Sequence, residues 1–360
     1  MQKNTLRTVL QISAVVFTVM LSGCSMCGVS TAKVKPAYFP QSVSFLDGTT
    51  VSSITILSAN SGWATGRVYI LGQANAQNIV DTVPKAGAIL HFNGTSWNSI
   101  KVNNPLFSLA MANANSGWAV GANGTILYYN GSAWTPQNSG VSGILWGVSA
   151  VSATEAWAVG DNGVILHCLN GIWKTAVSPT TAQLRAVYMQ NADSGWAAGA
   201  NGTVLQYTKG EWKLVTVPAL FTMNTIAVVP PNILLFGGGD MKINSNNQTQ
   251  FWTSYPAALE YQSGQWSTLT GFTSPIQSFA VINANDIWAF VEAAPASHFT
   301  GQGWKVNMNQ TQLYIGAASN VYNGTIYLGT SNGEIYSFVG GKITTMFQGP
   351  QCNGMIQFNC

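Results

Sequence analysis

Charge is scarce in this sequence. Its 360 residues include 14 Lys and Arg and 11 Asp and Glu, so that 7% of the chain is charged, against about a quarter in typical globular domains. The basic residues form no block, and electrostatic binding of nucleic acid depends on clustered Lys and Arg. The sequence therefore argues against a nucleic-acid partner, and solubility must rest on Asn, Gln, Ser and Thr.

The apolar run near the N-terminus is too short to span a membrane comfortably as a helix. Lys3 and Arg7 precede this run, which extends from Val9 to Leu21, and that order is typical of a secretory signal peptide. The tetrad Leu21-Ser22-Gly23-Cys24 resembles the bacterial lipobox. The resemblance implies cleavage before Cys24 and diacylglycerol on its sulfur, and the alternative is an ordinary signal peptide with a chance cysteine.

These features divide the chain into a signal peptide (1–23), a lipidated tether (24–38), a repeat domain (39–347) and a C-terminal tail (348–360). We expect a mature protein held by Cys24 on a membrane of the cell envelope, outside the cytoplasm. Loss of Lys3 and Arg7 leaves 12 of the 14 basic residues against 11 acidic ones, so the mature chain is nearly neutral.

Five cysteines are present, and no pair has the spacing of zinc ligands, so we predict no structural metal and no cofactor. An exported location permits a disulfide, and Cys352 and Cys360 in the tail are the predicted pair. Cys168 occupies a strand position held elsewhere by Tyr, which indicates a buried apolar role. Cys27 in the tether has no predicted partner.

Two tryptophan series recur with a step of about 39 residues. The first contains Trp63, Trp118, Trp157, Trp196 and Trp288, with Phe236 and Tyr327 expected in two further places. The second contains Trp97, Trp134, Trp173, Trp212, Trp266 and Trp304, with Ile343 in the seventh place. Seven units of about 40 residues, built from short strands and glycine turns, predict an all-β fold, the seven-bladed β-propeller.

Each unit reads as four antiparallel strands, labelled a to d. Blade 2 has the sequence SGWAVGANGTILYYNGSAW at 116–134, and the pattern returns at 155–173 and 194–212. The central Asn-Gly pair favours a tight b–c hairpin, because a type I′ turn needs positive φ at both positions. The tryptophans are expected to fill the gaps between blades. The outer strand of blade 7 comes either from Lys342–Phe347 or from residues 38–46.

The repeat Trp-Ala-Val-Gly-x-Asn-Gly-x-Ile-Leu, followed by Asn-Gly-x-x-Trp, resembles bacterial propellers of the photosystem II stability and assembly factor type. That family lies within the sialidase-like and sortilin-like group. The resemblance covers roughly residues 50–345 and implies the propeller fold. It also implies an assembly or stability factor for a membrane complex.

The residues argue against an enzyme. Sialidases of this group need three arginines, whereas Arg67 and Arg185 are the two that remain after the signal peptide. Other glycosidases need two facing carboxylates, and no such pair is recognisable because most acids, including Asp161, fall in turns. A hydrolase or lyase remains the alternative, and it would use the less explained acids Asp81, Asp240 and Glu292.

The three histidines do not predict a metal site. His91, His167 and His298 each lie six residues before a second-series Trp, which places them in blades 1, 3 and 6. Equivalent positions on separate blades are spread around a ring. The imidazoles therefore cannot converge on one ion.

We expect binding on one face of the ring, which we call the b–c face because it holds the b–c turns and the d–a connections. Two b–c connections carry long insertions, near Arg67–Ala86 in blade 1 and near Gly239–Tyr255 in blade 5. Loops on a rigid scaffold commonly carry binding.

The position at the start of strand a, eleven residues before each first-series aromatic, differs chemically in every blade. It reads Ser52, Phe107, Trp146, Arg185, Thr225, Gln277 and Gly316 around the ring. Packing demands should be alike in all blades, so this divergence favours contact with a ligand. The alternative is that Trp146 plugs the channel.

Trp146 and Trp252 stand outside both tryptophan series, and both are assigned to the b–c face. Aromatic and Arg side chains are favoured binding anchors, although Trp252 could instead pack its own loop. The sequence predicts a monomeric, non-catalytic binding propeller for a protein or a glycan. The predicted contact set is Trp146, Arg185, Phe107, Gln277, Trp252 and Arg67.

Overall fold

Seven antiparallel sheets of four strands each follow one another along the described chain, and each sheet keeps its strands in sequence order. The predicted seven-bladed β-propeller is therefore confirmed. The structure, a computed structural model, describes residues 49–68, 86–218, 220–229, 233–239, 257–272, 275–291, 296–306, 318–330, 334–339 and 342–347. This part of the chain contains no helix long and apolar enough to cross a bilayer.

Within each blade the strands follow the chain in the order a, b, c, d. Blade 1 contains Thr49–Ser58, Ser61–Val68, Ala86–Phe92 and Trp97–Val102, and blade 2 contains Leu106–Asn113, Ser116–Gly121, Ile126–Tyr129 and Trp134–Gln137. Blade 3 contains Leu145–Ser152, Glu155–Gly160, Ile165–Leu169 and Ile172–Thr175, and blade 4 contains Leu184–Asn191, Ser194–Gly199, Val204–Thr208 and Glu211–Val215.

Blade 5 contains Met223–Val229, Ile233–Gly238, Ala257–Gln262 and Gln265–Leu269. Blade 6 contains Ile276–Asn283, Asp286–Val291, Ser297–Phe299 and Trp304–Val306. Blade 7 contains Ala318–Tyr322, Thr325–Gly329, Ile335–Val339 and Lys342–Phe347. Short 3₁₀ turns occur at Ala122–Gly124, Asp161–Gly163 and Ala200–Gly202.

The b–c hairpins of blades 2, 3 and 4 have the backbone that the sequence predicts. Asn123 and Gly124 have φ of 55° and 63°, and the Asn-Gly pairs at 162–163 and 201–202 are also positive at both residues. A Cβ at Gly124 would collide with the carbonyl oxygen of Val141. Glycine is required there both by the dihedral angle and by the close approach of the next connection.

The a strands surround the axis of the ring, because each contacts the a strand of the blade before and after it. Serine hydroxyls link them across the blade boundaries. Ser108 Oγ accepts the backbone N–H of Val148 at 3.2 Å, and Ser149 Oγ accepts that of Met189 at 3.0 Å. These bonds satisfy backbone groups at the centre, which fixes the positions of neighbouring a strands.

Apolar clusters fill each boundary between neighbouring blades. The tryptophans fill these gaps as predicted, and at several boundaries a first-series Trp meets the second-series Trp of the next blade edge to face. The pairs are Trp63 with Trp134 at 5.4 Å, Trp157 with Trp212 at 5.6 Å, and Trp196 with Trp266 at 6.0 Å between ring centroids. Such pairs add about 0.5–1.5 kcal/mol beyond area burial, so the tryptophan series holds the ring together.

The boundary between blades 2 and 3 uses a glutamine as well. Trp118 and Trp173 both donate their indole N–H to Gln137 Oε1, at 3.2 Å and 2.8 Å. Both indoles are buried, and a buried donor needs a partner. Gln137 therefore serves two blades at once.

Blade 5 departs from the predicted alignment by one residue. Leu235 pairs with Glu260, as Trp196 pairs with Gln206 in blade 4. Leu235 therefore occupies the first-series place, and the prediction of Phe236 for that place was wrong. Because successive side chains point to opposite faces of a strand, Phe236 packs back against Trp196, with ring centroids 6.0 Å apart.

The ring closes between blades 7 and 1 without exchange of strands. Lys342–Phe347 forms the outer strand of blade 7, which decides between the two predicted alternatives. Hydrogen bonds that cross this boundary between described residues include those from Val51 N to Thr330 O at 2.9 Å and from Ile56 N to Asn320 Oδ1 at 3.0 Å. Tyr327 packs here against the apolar cluster that includes Trp97.

Candidate functional site

A cavity of about 280 Å³, which we call the channel cavity, lies where the a strands meet around the axis of the ring. All seven blades contribute to its described wall, and each lining residue belongs to a strand a. Six of the seven predicted ring positions line it together: Ser52, Phe107, Trp146, Arg185, Thr225 and Gln277. Gly316 lies outside the described residues. The positions that differ most between blades thus converge on one space.

Four of the predicted contact residues form a continuous row across blades 1 to 4, which we call the aromatic–arginine row. The Arg67 guanidinium carbon lies 5.5 Å from the Phe107 ring centroid. Phe107 and Trp146 follow, with centroids 4.5 Å apart and planes tilted by 54°. The Arg185 guanidinium carbon lies 5.5 Å from the Trp146 centroid. Cation–π attraction therefore stabilises both ends of an aromatic pair.

Asp161 holds Trp146 in place. The indole N–H of Trp146 donates to Asp161 Oδ1 at 2.7 Å, and the side-chain amide of Gln183 donates to the same oxygen at 2.8 Å. The backbone N–H of Ile144 donates to Oδ2 at 3.1 Å. Three donors on one carboxylate leave the indole little freedom to turn.

The pKa of Asp161 reflects this environment. Burial alone raises the pKa of the carboxyl, but the hydrogen bonds from Trp146, Gln183 and Ile144 and the charge of Arg185 together hold it below its ordinary value. Hydrogen bonds to the charged form favour that form. The carboxylate is therefore ionised at neutral pH and already bonded within the protein.

Gln183 transmits this order to Arg185. The Arg185 Nε–H donates to Gln183 Oε1 at 2.6 Å, and its Nη1 donates to Asn224 Oδ1 at 2.8 Å. The guanidinium is thus fixed between two amide oxygens while it lies over Trp146. The row is preorganised, and side chains that are already fixed lose less entropy when a ligand binds.

Asn224 also corrects one predicted ring position. In blade 5 the one-residue shift makes Ala227 the partner of Leu235, so the position equivalent to Arg185 is Asn224 rather than Thr225. Both residues line the cavity. The correction matters because Asn224 is the residue that accepts a bond from Arg185.

Sequence reasoning missed Asp161, Gln183 and Asn224 as site residues. Asp161 was attributed to its turn, yet it stands where blades 2 and 4 have Ala122 and Ala200. That departure from the repeat was an available signal. Gln183 precedes strand a and has no comparable signal.

The histidines lie in separate blades and do not line the cavity. Each stacks on the first-series Trp of its own blade, with centroids 4.1 Å apart for His91 and 3.8 Å for the other two. His167 Nε2 lies 3.0 Å from Glu155 Oε1, and His298 Nε2 lies 2.8 Å from Asp286 Oδ1. These acids have structural partners on strand c. The described residues contain no group of three or more potential metal ligands.

Cys168 is fully buried in strand c of blade 3, as predicted. Several other predictions fall outside the described residues. These concern the signal peptide, the tether and the tail, both insertions apart from their flanking residues, and Cys24, Cys27, Asp81, Asp240, Trp252, Glu292, Cys352 and Cys360.

Comparison with known proteins gives structural relatives. No protein-family model matches the chain, and no curated protein matches it. Among solved structures, "YCF48 bound to D1 peptide" is 14% identical, covers 86% of this chain and 99% of its own, and has a TM-score of 0.58. YCF48 from Cyanidioschyzon merolae is 14% identical, with coverages of 81% and 96% and a TM-score of 0.56.

The WD40 β-propeller domain of Doa1 is 10% identical, covers 81% of this chain and 93% of its own, and has a TM-score of 0.58. At such low identities these likenesses establish the propeller fold and nothing finer.

Proposed function

We propose that this chain is a non-catalytic binding propeller that captures a protein partner on its b–c face. The aromatic–arginine row is its anchor. The observation that carries the proposal is the Asp161 network, which fixes Trp146 and Arg185 at a cavity to which all seven blades contribute. Binding hot spots are enriched in Trp, Tyr and Arg, and a fixed anchor binds with a smaller entropic cost.

The structural relatives support a protein as the partner. One is a propeller solved with a peptide, and another is a WD40 propeller. The resemblance of the repeat sequence to the photosystem II stability and assembly factor type extends the proposal to assembly or stabilisation of a membrane protein complex. A glycan ligand is the competing hypothesis, since hydroxyl and amide side chains also line the cavity.

The wall chemistry supports a non-catalytic role. Glycoside hydrolysis needs two carboxylates that flank one bond, and none of the described lining residues is acidic. Asp161 lies behind Trp146 and accepts three hydrogen bonds. Its pKa is lowered, which is the opposite of what a general acid requires.

A membrane tether is the second part of the proposal. Lipid on Cys24 would hold a monomeric propeller on a membrane of the cell envelope, because multiple acyl chains anchor a protein stably. Cys24→Ala should move the protein from the membrane to the soluble extracytoplasmic fraction. Mass spectrometry of the purified chain should show the lipid on the parent protein alone. An unmodified parent protein would reject the tether and leave the binding proposal in place.

Crosslinking in the native membrane, followed by mass spectrometry, tests the binding proposal. Trp146→Ala and Arg185→Ala should each weaken capture of the crosslinked partner by about 30-fold, the effect of a hot-spot residue worth roughly 2 kcal/mol. Leu214→Ala, at a side chain 61% exposed on an outer strand, is the control and should bind normally. Undiminished capture by both site variants, with melting temperatures unchanged, would reject this site.

A glycan array run beside the pull-down separates the two ligand classes. Array binding that Trp146→Ala abolishes, without any captured protein, would replace the protein by a glycan. Co-purification of membrane complex intermediates with the tethered chain would support the assembly role, and its absence from a membrane extract that does yield a partner would reject that role.

A further inference from the structure

A second cavity, of about 520 Å³, opens on the b–c face between blades 1 and 2. Three segments line this space, which we call the blade 1–2 groove. They are residues 101–104 at the end of blade 1, residues 123–127 in the b–c turn and strand c of blade 2, and residues 136–139 with Val141 at the end of blade 2. Its volume falls within the roughly 300–1,000 Å³ typical of ligand sites.

A short connection accounts for the groove. The chain passes from strand d of blade 1 to strand a of blade 2 in three residues, 103–105. The next two d–a connections have seven residues (138–144) and eight (176–183). Three residues are too few to fold over the neighbouring b–c turn as the longer connections do, so no residue of this connection covers the space beside Asn123 in the described part of the chain.

The groove wall combines amides with aliphatic side chains. The amides are Asn103, Asn104, Asn123, Gln137 and Asn138, and the aliphatic residues are Val102, Ile126, Leu127, Pro136 and Val141. Hydrogen bonds within the protein order most of these amides. Asn123 Nδ2 donates to Asn104 Oδ1 at 3.2 Å, and Asn104 Nδ2 donates to Thr125 Oγ1 at 2.8 Å. Gln137 Oε1 accepts both indole N–H groups described above, and Asn138 Oδ1 accepts the backbone N–H of Gly140 at 3.0 Å. Lys101 is the single charged residue among the described lining residues, which include no aromatic one.

This combination selects a ligand class. One lysine is too little for a polyanion, and a cation would find no carboxylate among the described lining residues. Sugar rings in protein sites commonly stack on aromatic side chains, which the described wall lacks. An extended polypeptide fits both parts of the wall, because its main chain carries a donor and an acceptor at each residue, and a side-chain amide such as that of the exposed Asn103 supplies both complements. Its apolar side chains would lie against Val102 and Pro136.

We propose that the blade 1–2 groove binds the main chain of an extended polypeptide segment that continues outward from the channel cavity. Asn104 lines the groove and Phe107 lines the channel cavity. These residues are three positions apart, which spans at most about 11 Å of extended chain. The inference rests on the proposed function for the partner being a protein, and it adds that the bound segment is extended.

Peptide selection tests the groove separately from the channel. The full mature chain is used to select from phage-displayed random peptides of about twelve residues, long enough to reach both cavities. The affinity of the selected peptides is then measured by fluorescence polarisation. The groove variants are Asn103→Ala and the double variant Asn103→Ala/Asn104→Ala. The control is Asn98→Ala, at an exposed residue of strand d of blade 1, which precedes this connection and lines neither cavity.

The proposal expects the double variant to bind the selected peptides about tenfold more weakly, the effect of one or two lost hydrogen bonds. Asn98→Ala should bind as the parent does. Peptides shortened to about five residues, sufficient for the channel alone, should bind parent and groove variants equally. Asn103→Ala changes an exposed loop residue and should show part of this loss of peptide affinity. It replaces the double variant in the test if the double variant does not fold.

Three outcomes would overturn the groove proposal. Peptides that lose affinity with Trp146→Ala but with neither groove variant would leave the channel as the whole site and the proposed function intact. Oligosaccharide binding that Asn103→Ala removes, without peptide binding, would make the groove a glycan site. Failure to select any peptide would reject the groove, whereas partner capture through Trp146 would still be decided by crosslinking.

Discussion

The indole N–H of Trp146 donates a 2.7 Å hydrogen bond to Asp161 Oδ1, so an aromatic ring at the channel is fixed by a carboxylate from the b–c turn of its own blade. The same oxygen accepts a hydrogen bond from Gln183, whose own Oε1 accepts one from Arg185. One turn residue therefore orients both kinds of anchor, the aromatic ring and the guanidinium.

Asp161 should make stability depend on pH. Its folded pKa lies below the ordinary value, so its ionised form contributes stability that is present above the unfolded pKa of about 3.9 and is lost as the pH falls through the folded pKa. Asp161→Asn should lower the melting temperature at neutral pH. The gap from the parent should narrow as the pH falls below about 4, because the unfolded carboxyl takes up a proton there while the folded carboxyl stays ionised until the pH reaches its lower pKa. Thermal melts across this range test it, and a gap that stays constant with pH would contradict the assignment.

Gln137→Ala should destabilise the ring strongly for an exchange of one polar side chain. The change leaves the indole N–H groups of Trp118 and Trp173 without their acceptor, and each unsatisfied buried group costs about 1–3 kcal/mol. Urea denaturation should show a loss of roughly 2–4 kcal/mol. Gln265→Ala, on an exposed outer strand of blade 5, is the matched control and should change stability little. Equal effects in the two variants would show that Gln137 is not a bridge.

Ala176→Gln should stabilise the boundary between blades 3 and 4. Ala176 follows Trp173 by three residues, as Gln137 follows Trp134, and it packs in the cluster that holds Trp157 and Trp212. The indole N–H groups of both tryptophans are buried and have no hydrogen-bond partner within the described structure. The side-chain oxygen of a glutamine at position 176 would accept these N–H groups and should add about 1 kcal/mol to the free energy of unfolding. Ala176→Leu, which adds bulk without an acceptor, separates hydrogen bonding from packing, and an equal gain from leucine would contradict the prediction.

Ser61→Glu should raise the pKa of His91. Burial lowers the pKa of His91 in the parent, so its protonation opposes folding as the pH falls below the unfolded value of about 6.5. Ser61 precedes Trp63 by two residues, as Glu155 precedes Trp157 and Asp286 precedes Trp288. A carboxylate there would stabilise the imidazolium.

With the folded pKa raised above the unfolded one, the variant gains stability at low pH and loses that gain as the pH rises through the folded pKa. NMR titration of the three imidazoles measures the shift directly. Ser61→Gln is the neutral control, and an identical titration in the two variants would show that position 61 does not reach His91.

The sequence was sufficient for the fold because the blade boundaries need large rings at a fixed period. Trp63, Trp157 and Trp196 lie between blades as expected, where each meets a tryptophan of the next blade. The period also located the ring of a-strand positions that line the channel cavity. It failed at Phe236, since residue type alone does not tell which face of a strand a side chain occupies. The pairing of Leu235 with Glu260 decides the face.

The support around the site was less visible in the sequence. Asp161 occupies a turn, and acids are common in turns, so its bond to Trp146 follows from the spatial approach of the turn to strand a of the same blade. The link from Gln183 through Arg185 to Asn224 crosses a blade boundary. A contact that occurs at one blade boundary and does not recur at the others leaves no trace in the period of the repeat.

The closing of the ring at blades 7 and 1 has a mechanical consequence. All four strands of each of these blades come from one contiguous stretch of the chain. The two blades are therefore joined by contacts between their faces and not by a strand that one end of the chain adds to the sheet of the other. Separation of blades 7 and 1 would break side-chain packing and a few hydrogen bonds between the two blades, but no backbone pairing within a sheet. A circular permutant, with blade 7 linked to blade 1 and new termini placed in another d–a connection, would still carry seven intact blades. Its ring would then close at the boundary that contains the new termini.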